Sequence, residues 1–372
     1  MKKIIISANV IWTITNFRKE LIKYLSSNGY KVICVASKDE LSINLEQVLR
    51  ELEIEFYQVN IDRKGVNPIN DIRYIINLYN LYKKIAPDVI LHFTIKPNIY
   101  GSFVASLLKI PSINTINGLG SGIIKNNFLS KIIKKMYRFS LKNSAKVFFQ
   151  NEDDLKFFIE NNIVNKDKVG IVPGSGVDID RFKNIKKKTN GKFTFLLIAR
   201  LLKDKGIYEY IEAAKQIQRK YKNVDFLLAG QFDKGNPSAI AQEDIKKYID
   251  KKIISYIGLT SNIEEFFELC DVIVLPSYRE GLSRVLIEAA SAYKPLIATD
   301  VPGCREIVQD NYNGLLCKPY NAECLFEALE KMIKTNKIDL DLMGRRSYQI
   351  AKEKFSKDIV NNIYMKAILK VI

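Results

Sequence analysis

Two successive series of short β-rich apolar runs, each run followed by a longer segment of helical period, constrain this chain more than any other feature. In the first series "KIIISANV", "KVICVAS", "IEFYQVN", "DVILHF", "PSINTIN" and "AKVFFQN" read as strands. The segments "NFRKELIKYLSSNG", "PINDIRYIINLYNLYKKI" and "PNIYGSFVASLLK" read as the helices between them. Strands that alternate with helices pair in parallel, because each crossover needs a helix to bring the chain back to the same end of the sheet. Near residue 173 the pattern breaks at "PGSGVDIDRFKNIKKKTNGK", turn-rich and then lysine-rich, and a second series begins at "FTFLLIAR". The expected fold is α/β: two doubly wound, Rossmann-like domains over residues 1–175 and 193–372, with a linker at 176–192 and a final helix free to return to the N-terminal domain. The 372-residue length suits two cores rather than one. Two such domains are expected to face each other across a cleft at the carboxyl ends of their strands, and chemistry is sought there.

Bulk properties remove several classes. A chain that is 47% hydrophobic and 27% charged buries enough apolar surface to fold, which excludes disorder. No apolar run approaches the roughly 20 residues that span a bilayer, so the chain is not expected to cross one. The opening "MKKIIISANVIWTI" has the lysines and apolar stretch of a signal peptide. Asn9 interrupts it and no small-residue cleavage site follows, so it reads as a buried first strand. Five cysteines without a C-x-x-C pair suggest neither a disulfide framework nor a zinc site, and fit a reducing cytoplasm. His92 is the single histidine, which excludes a mechanism built on several. The net charge of +17 is uneven: residues 1–150 hold 22 basic against 10 acidic side chains, the remainder 36 against 31. Within residues 101–150 there are eight basic residues and no acid, so that segment is expected to face something anionic.

Motifs at strand ends carry the chemistry. "ARLLKDKG" puts Arg200 and Lys205 between a strand and the mouth of the next helix, where cations and free helix N–H groups suit a diphosphate; a solvated basic turn fits the same residues. "PSYREGLSRVLIEAA" follows "DVIVL". Gly281 lets the backbone turn, and the amides of Leu282, Ser283 and Arg284 are expected to point out of the helix start as anion donors. Glu280 stands just outside that start and suits sugar hydroxyls better than phosphate; Glu288 lies two turns further, in reach of a ribose hydroxyl. An ordinary helix with one acid favoured by its dipole and one solvated glutamate is the plain alternative. "GLGSGI" at 118–123 mimics a dinucleotide fingerprint, but Ile123 stands where the third glycine belongs, so it reads as a loop lining the cleft.

Taken together, the Glu280-x7-Glu288 spacing after "LPSYREG", "ARLLKDKG", "PGSGVDIDRF" and "DVPGCREIVQDNYNGLLCKP" resemble glycosyltransferase family 4, retaining enzymes of the GT-B fold. The resemblance implies that Arg200 and Lys205 hold the nucleotide diphosphate, that Glu280 contacts the donor sugar, and that Glu288 contacts the ribose. Arg200, Lys205 and Glu280 then form the catalytic set; Glu288, Gly281, Leu282, Ser283, Arg284, Gly230, Asn117 and Gly118 bind the donor. In the N-terminal half "NFRKELI", "TIKPNIYG", "NGLGS" and "FFQNEDD" are similar to bacterial transferases that extend polyprenyl-diphosphate-linked oligosaccharides in protein glycosylation, O-antigen and capsule assembly. Two departures stand out. "SANVIWTITN" replaces the glycine-rich loop of many members, and Thr115-Ile116-Asn117-Gly118 replaces T-x-H-G, so no histidine role is carried over.

The resemblance implies transfer of a sugar, an N-acetylhexosamine such as GalNAc or a hexose, from a UDP-sugar to a polyprenyl-diphosphate-linked saccharide. No metal is expected: Arg200, Lys205 and the amides at 282–284 take its place opposite the leaving diphosphate. Arg18, Lys96 and Asn98 are placed on the acceptor or membrane-facing side, with Lys131, Lys134, Lys135 and Arg138 of "FLSKIIKKMYRFSLKNSAK". In that segment Leu129, Ile132, Ile133, Met136 and Ser140 share one helical side and the cations the other, which reads as an inward apolar stripe with a basic face toward anionic lipid or its diphosphate. The protein is thus expected at the cytoplasmic face of the membrane. A UDP-sugar epimerase of the same architecture is the rival reading. Nucleic-acid binding is disfavoured, since the basic stretches lack interleaved stacking aromatics.

Overall fold

The computed structural model describes residues 1–38, 45–62, 67–119, 123, 127–183, 185–188, 191–233, 235–260 and 262–372. The chain forms two compact units, Met1–Gly176 together with Lys357–Ile372, and Val177–Ser356.

The first unit is built on β1 (Lys3–Val10), β2 (Lys31–Ser37), β3 (Glu55–Gln58), β4 (Val89–Phe93), β5 (Ser112–Ile116), β6 (Lys146–Phe149) and β7 (Val169–Ile171). They form one parallel sheet in the order β3-β2-β1-β4-β5-β6-β7. The unbroken apolar run of β1 follows from burial on both faces: Ile4 and Ile6 pack with Leu21 and Val32, while Ile5 packs with Ile33 and Leu78. Helices α1 (Ile11–Phe17), α2 (Lys19–Ser27), α3 (Leu45–Glu51), α4 (Pro68–Ile85), α5 (Ser102–Leu107), α6 (Phe128–Leu141) and α7 (Glu152–Glu160) cover it. α4 is well specified locally. Asn67 accepts the Ile69 N–H at 3.0 Å, Pro68 supplies the first helical position, and Ala86 ends the helix in the left-handed conformation. On one sheet face lie α4, α5 and α6, through Tyr74, Leu78 and Val104 over Ile5 and Ile90, and through Tyr137 and Leu141 over Val147 and Phe149.

The second unit holds β8 (Phe193–Ile198), β9 (Val224–Ala229), β10 (Ser255–Gly258), β11 (Val272–Leu275), β12 (Leu296–Thr299) and β13 (Gly314–Cys317). Their order is β10-β9-β8-β11-β12-β13, again parallel. Between and after them run α8 (Ile207–Lys220), α9 (Gln242–Asp250), α10 (Ile263–Phe267), α11 (Arg284–Ser291), α12 (Ala322–Lys334) and α13 (Lys337–Lys354). The last helix, α14 (Lys357–Leu369), belongs to the first unit, where Tyr364 packs edge-on against Phe93 and Phe148 and hydrogen-bonds Thr115.

The described residues of the segment read as a linker fold with the second unit. Val177, Ile179 and Phe182 are buried with Leu196, Phe267 and Leu275, and the Arg181 guanidinium forks onto Glu264. The turn-rich composition had hidden three apolar anchors. In the "GLGSGI" stretch, residues 120–122 lie outside the described residues. All five cysteines are free thiols.

Candidate active site

The strand order of the second unit reverses direction between β8 and β11, which are hydrogen-bonded neighbours. Chains leaving adjacent parallel strands to opposite sides open a crevice at the strand carboxyl ends, and ligands of open α/β sheets bind there. Both loops singled out in the sequence leave the sheet at this point. The loop after β8 carries Arg200 and Lys205, and the loop after β11 carries Ser277 to Ser283.

The two loops are locked together. Tyr278 donates its N–H to the Asp204 carbonyl at 2.9 Å. Gly206, with φ +70°, fits beneath the Pro276 carbonyl, and a Cβ there would lie 2.0 Å from that oxygen. No other residue type satisfies both the left-handed backbone and the approach. Across this seam Lys205 Nζ donates to Glu280 Oε1 at 2.6 Å, and Ser277 Oγ donates to the same oxygen at 2.7 Å. The Lys205 and Glu280 side chains are 17% and 14% exposed. The ammonium has three donors, so the Glu280 bond aims it without exhausting it. Tyr278 adds a second tie, its hydroxyl donating to Glu209 at 2.7 Å and its ring lying 3.8 Å from that of Tyr320. Burial, and then the Glu209 carboxylate, push the Tyr278 hydroxyl pKa upward, so it stays a donor.

Glu288 is buried in the first turns of α11 and accepts from Arg284 Nε at 2.7 Å, one helical turn earlier. The pair answers the oddity of an acid inside an apolar helix: the carboxylate is held by a cation of its own helix. Arg181 adds positive charge toward Glu288, although its pKa is raised first by its bonds to Glu264. At the helix start Ser283 is the N-cap, its Oγ accepting the Leu286 N–H. The Ser283 N–H donates to the Gly303 carbonyl at 3.4 Å, which corrects its expected role as an anion donor. Gly303, in the "VPG" turn, has φ +79°, and a Cβ on it would meet the Gly281 carbonyl at 2.6 Å. Leu282 and Arg284 flank this capped start.

Arg200 is 58% exposed and donates to Asp233 at 3.1 Å, a looser placement than that of Lys205. Gly230 was expected at the donor. Its N–H donates to the Gly258 carbonyl and its own carbonyl accepts from Tyr256. With φ +140° and the Ala199 carbonyl 1.6 Å from a would-be Cβ, glycine is required here by chain packing.

In the first unit the strand carboxyl ends gather Arg18, Thr94, Asn117 and Gln150. The Arg18 guanidinium lies 4.0 Å above the Phe93 ring and donates to Asn117 Oδ1, which also accepts from Gln150. Arg18 is buried, so it is a fixed cation of this edge and no membrane-facing residue. Gly118 follows with φ +137°. Thr94 holds φ +68°, a costly conformation for a β-branched residue, and exchanges hydrogen bonds with Asn9. Two further expectations are corrected. Asn98 is buried, donating to the Thr115 carbonyl and accepting from Asn114, and Lys96 is paired with Asp71, both largely out of solvent. On α6 the inward residues are Ser130, Tyr137, Ser140 and Leu141, whereas Leu129 and Ile132 are exposed beside Lys131, Lys135 and Arg138. Lys134 lies over the Phe157 ring, and Arg138 donates to the carbonyls of Asn161 and Asn162 past the end of α7. His92 is fully buried between Tyr82 and Ser102, and burial pushes its pKa down to about 3, so it is a neutral packing residue. Among the described residues no cluster of three or more His, Cys, Asp or Glu side chains has the spacing to hold a metal ion.

Sequence reasoning missed Ser277, Arg284 as the partner of Glu288, and Thr94. Ser277 was visible as a small polar residue three positions before Glu280. The strain at Thr94 has no sequence signal.

Two Rossmann-like units with paired loops at a switch point define a protein of the GT-B class. Residues 178–349 match the family described as glycosyl transferases group 1, and residues 3–151 match the family described as glycosyl transferase 4-like. The chain belongs to these glycosyltransferases. It is 28% identical to the N,N'-diacetylbacillosaminyl-diphospho-undecaprenol alpha-1,3-N-acetylgalactosaminyltransferase of Campylobacter jejuni, over 97% of this chain and 96% of that protein. It is 25% identical to the UDP-Gal:alpha-D-GlcNAc-diphosphoundecaprenol alpha-1,3-galactosyltransferase of Escherichia coli, over 72% of each. The crystal structure of a glycosyltransferase from Rickettsia africae shares the fold with a TM-score of 0.80 at 20% identity, over 100% of this chain and 98% of that one.

Proposed function

We propose that the enzyme moves an N-acetylhexosamine or a hexose from a UDP-sugar onto a polyprenyl-diphosphate-linked saccharide, with retention and without a metal ion, at the cytoplasmic face of an anionic membrane. The observation that carries this reading is the meeting of Lys205, Ser277 and Glu280 at the β8/β11 switch point, beside the start of α11. The two relatives named above both act on diphospho-undecaprenol-linked sugars, which supports the acceptor class. No helix among the described residues is long and apolar enough to cross a membrane.

As the glycosidic bond breaks, the anomeric carbon becomes cationic and the UDP oxygen gains negative charge. Lys205, with Arg200 and the backbone N–H groups at 282 and 284, opposes the second change without moving, since Glu280 already fixes the ammonium. Glu280 accepts from hydroxyls of the donor sugar with its remaining lone pairs, and Glu288, oriented by Arg284, accepts from the ribose. Departing phosphate oxygen takes the acceptor proton, which needs no protein base. Incubation with radiolabelled UDP-sugars and a short polyprenyl-diphosphate saccharide tests the reading. Labelled lipid product in the presence of EDTA is expected. Conversion of UDP-sugar without acceptor is the outcome that would restore the epimerase.

A further inference from the structure

α4 turns an apolar stripe to solvent. Ile69, Ile72, Ile76 and Tyr79, spaced by three, four and three residues, are 61%, 56%, 52% and 36% exposed, although Tyr74, Leu78 and Tyr82 already supply the helix with a buried face. A helix needs one apolar stripe to join a core, so a second one at helical spacing is unaccounted for by the fold. It does not stand alone. α5 and α6 lie in the same layer on the same sheet face, with Phe103 and Phe139 in ring contact between them. α6 exposes Phe128 (80%) and Phe139 (67%) with Leu129 and Ile132.

The charge around these residues narrows the occupant. Residues 69–142 contain 11 basic side chains and two acidic ones. Of the acids, Asp71 is held by Lys96 and Tyr100, and Asp88 accepts the Lys3 N–H. Arg73, Lys131, Lys135 and Lys142 are exposed beside the apolar stripes. A second copy of this chain would bring like charge against like charge. A bilayer with anionic headgroups offers countercharge at the level of the lysines and an apolar phase a few ångströms deeper.

We infer that the outward face of α4 and α6 is a bilayer-insertion surface, in which Ile69, Ile72, Ile76 and Tyr79 enter the headgroup–acyl boundary while Arg73 and the α6 lysines contact anionic headgroups. This rests on the proposed use of a lipid-linked acceptor and adds a surface, on a helix with no part in the site. Flotation with vesicles of equal parts phosphatidylglycerol and phosphatidylcholine tests it, using the full chain and the variant Ile72→Gln/Ile76→Gln. Wild type is expected to float with these vesicles and the variant to partition at least about tenfold less, since each isoleucine withdraws an apolar side chain from the lipid. With a short-chain acceptor soluble without lipid, the variant should turn over as wild type does. Flotation of the variant equal to that of wild type overturns the inference. So does light scattering that finds wild type dimeric and the variant monomeric without lipid, because the face would then belong to a second copy. Absence of transfer by both proteins would instead remove the proposed function and leave flotation to decide the surface.

Discussion

Removal of the Lys205 ammonium is the perturbation whose effect the geometry fixes best. In the Lys205→Ala variant the departing diphosphate loses a cation fixed by a 2.6 Å bond to Glu280. A unit charge about 4 Å from a phosphate oxygen, at an effective dielectric constant of about 20, is worth about 4 kcal/mol. Between half and all of that acts on the charge that develops as the bond breaks, so kcat should fall roughly 30-fold to 1,000-fold. Stability should change little: Glu280 keeps the Ser277 hydroxyl and is partly solvated, so about 1 kcal/mol and a Tm decrease of about 3 °C are expected. The assay is transfer of labelled sugar to the lipid-linked acceptor at saturating donor, with thermal denaturation run alongside. The Lys205→Ala/Glu280→Ala double variant separates the two roles of the glutamate. Loss equal to that of Lys205→Ala alone means that Glu280 only aims the lysine, whereas a further loss means that it also binds the donor sugar. A Lys205→Ala enzyme within about threefold of wild type would refute the assignment.

Other consequences are equally specific. Arg284→Ala should raise KM for the donor about tenfold with little change in kcat, because the ribose lies away from the reacting bond; steady-state kinetics decides this. Gly206→Ala should destabilise the second unit by at least about 3 kcal/mol in urea titration, since left-handed strain adds to a contact with the Pro276 carbonyl. Gly29→Ala, equally left-handed but with open space around it, should cost only about 1 kcal/mol. His92 has a native pKa near 3, well below that of the unfolded chain, so its contribution to stability is complete above about pH 6.5 and is lost as pH falls toward 3. Wild type should therefore lose about 1.4 kcal/mol per pH unit between pH 6 and 4 relative to His92→Asn, measured by urea midpoints.

Much of this was legible in the sequence, for identifiable reasons. Strands of a parallel sheet covered on both faces must be nearly continuous apolar runs, and "KIIISANV" and "DVIVL" stand out as such. Site residues at strand ends followed from the same reading, because the loops after β8 and β11 hold the cations and acids at fixed distance from those runs. Side-chain partnerships were not legible. Nothing in the spacing says that Lys205 and Glu280, 75 positions apart, share a bond, or that Asp71 neutralises Lys96. The phase of an amphipathic helix is ambiguous in the sequence where two apolar stripes compete. On α6 the isoleucine at 132 and the tyrosine at 137 lie on different sides, and only packing against Val147 and Phe149 decides which faces inward. α4 hid its second stripe for the same reason.

A crystal structure of the enzyme with UDP shows whether the Lys205 ammonium holds the departing diphosphate. A β-phosphate oxygen is expected about 3 Å from Lys205 Nζ, facing the start of α11, with the ribose toward Glu288. A diphosphate bound elsewhere, with Lys205 still engaged only by Glu280, would contradict that role.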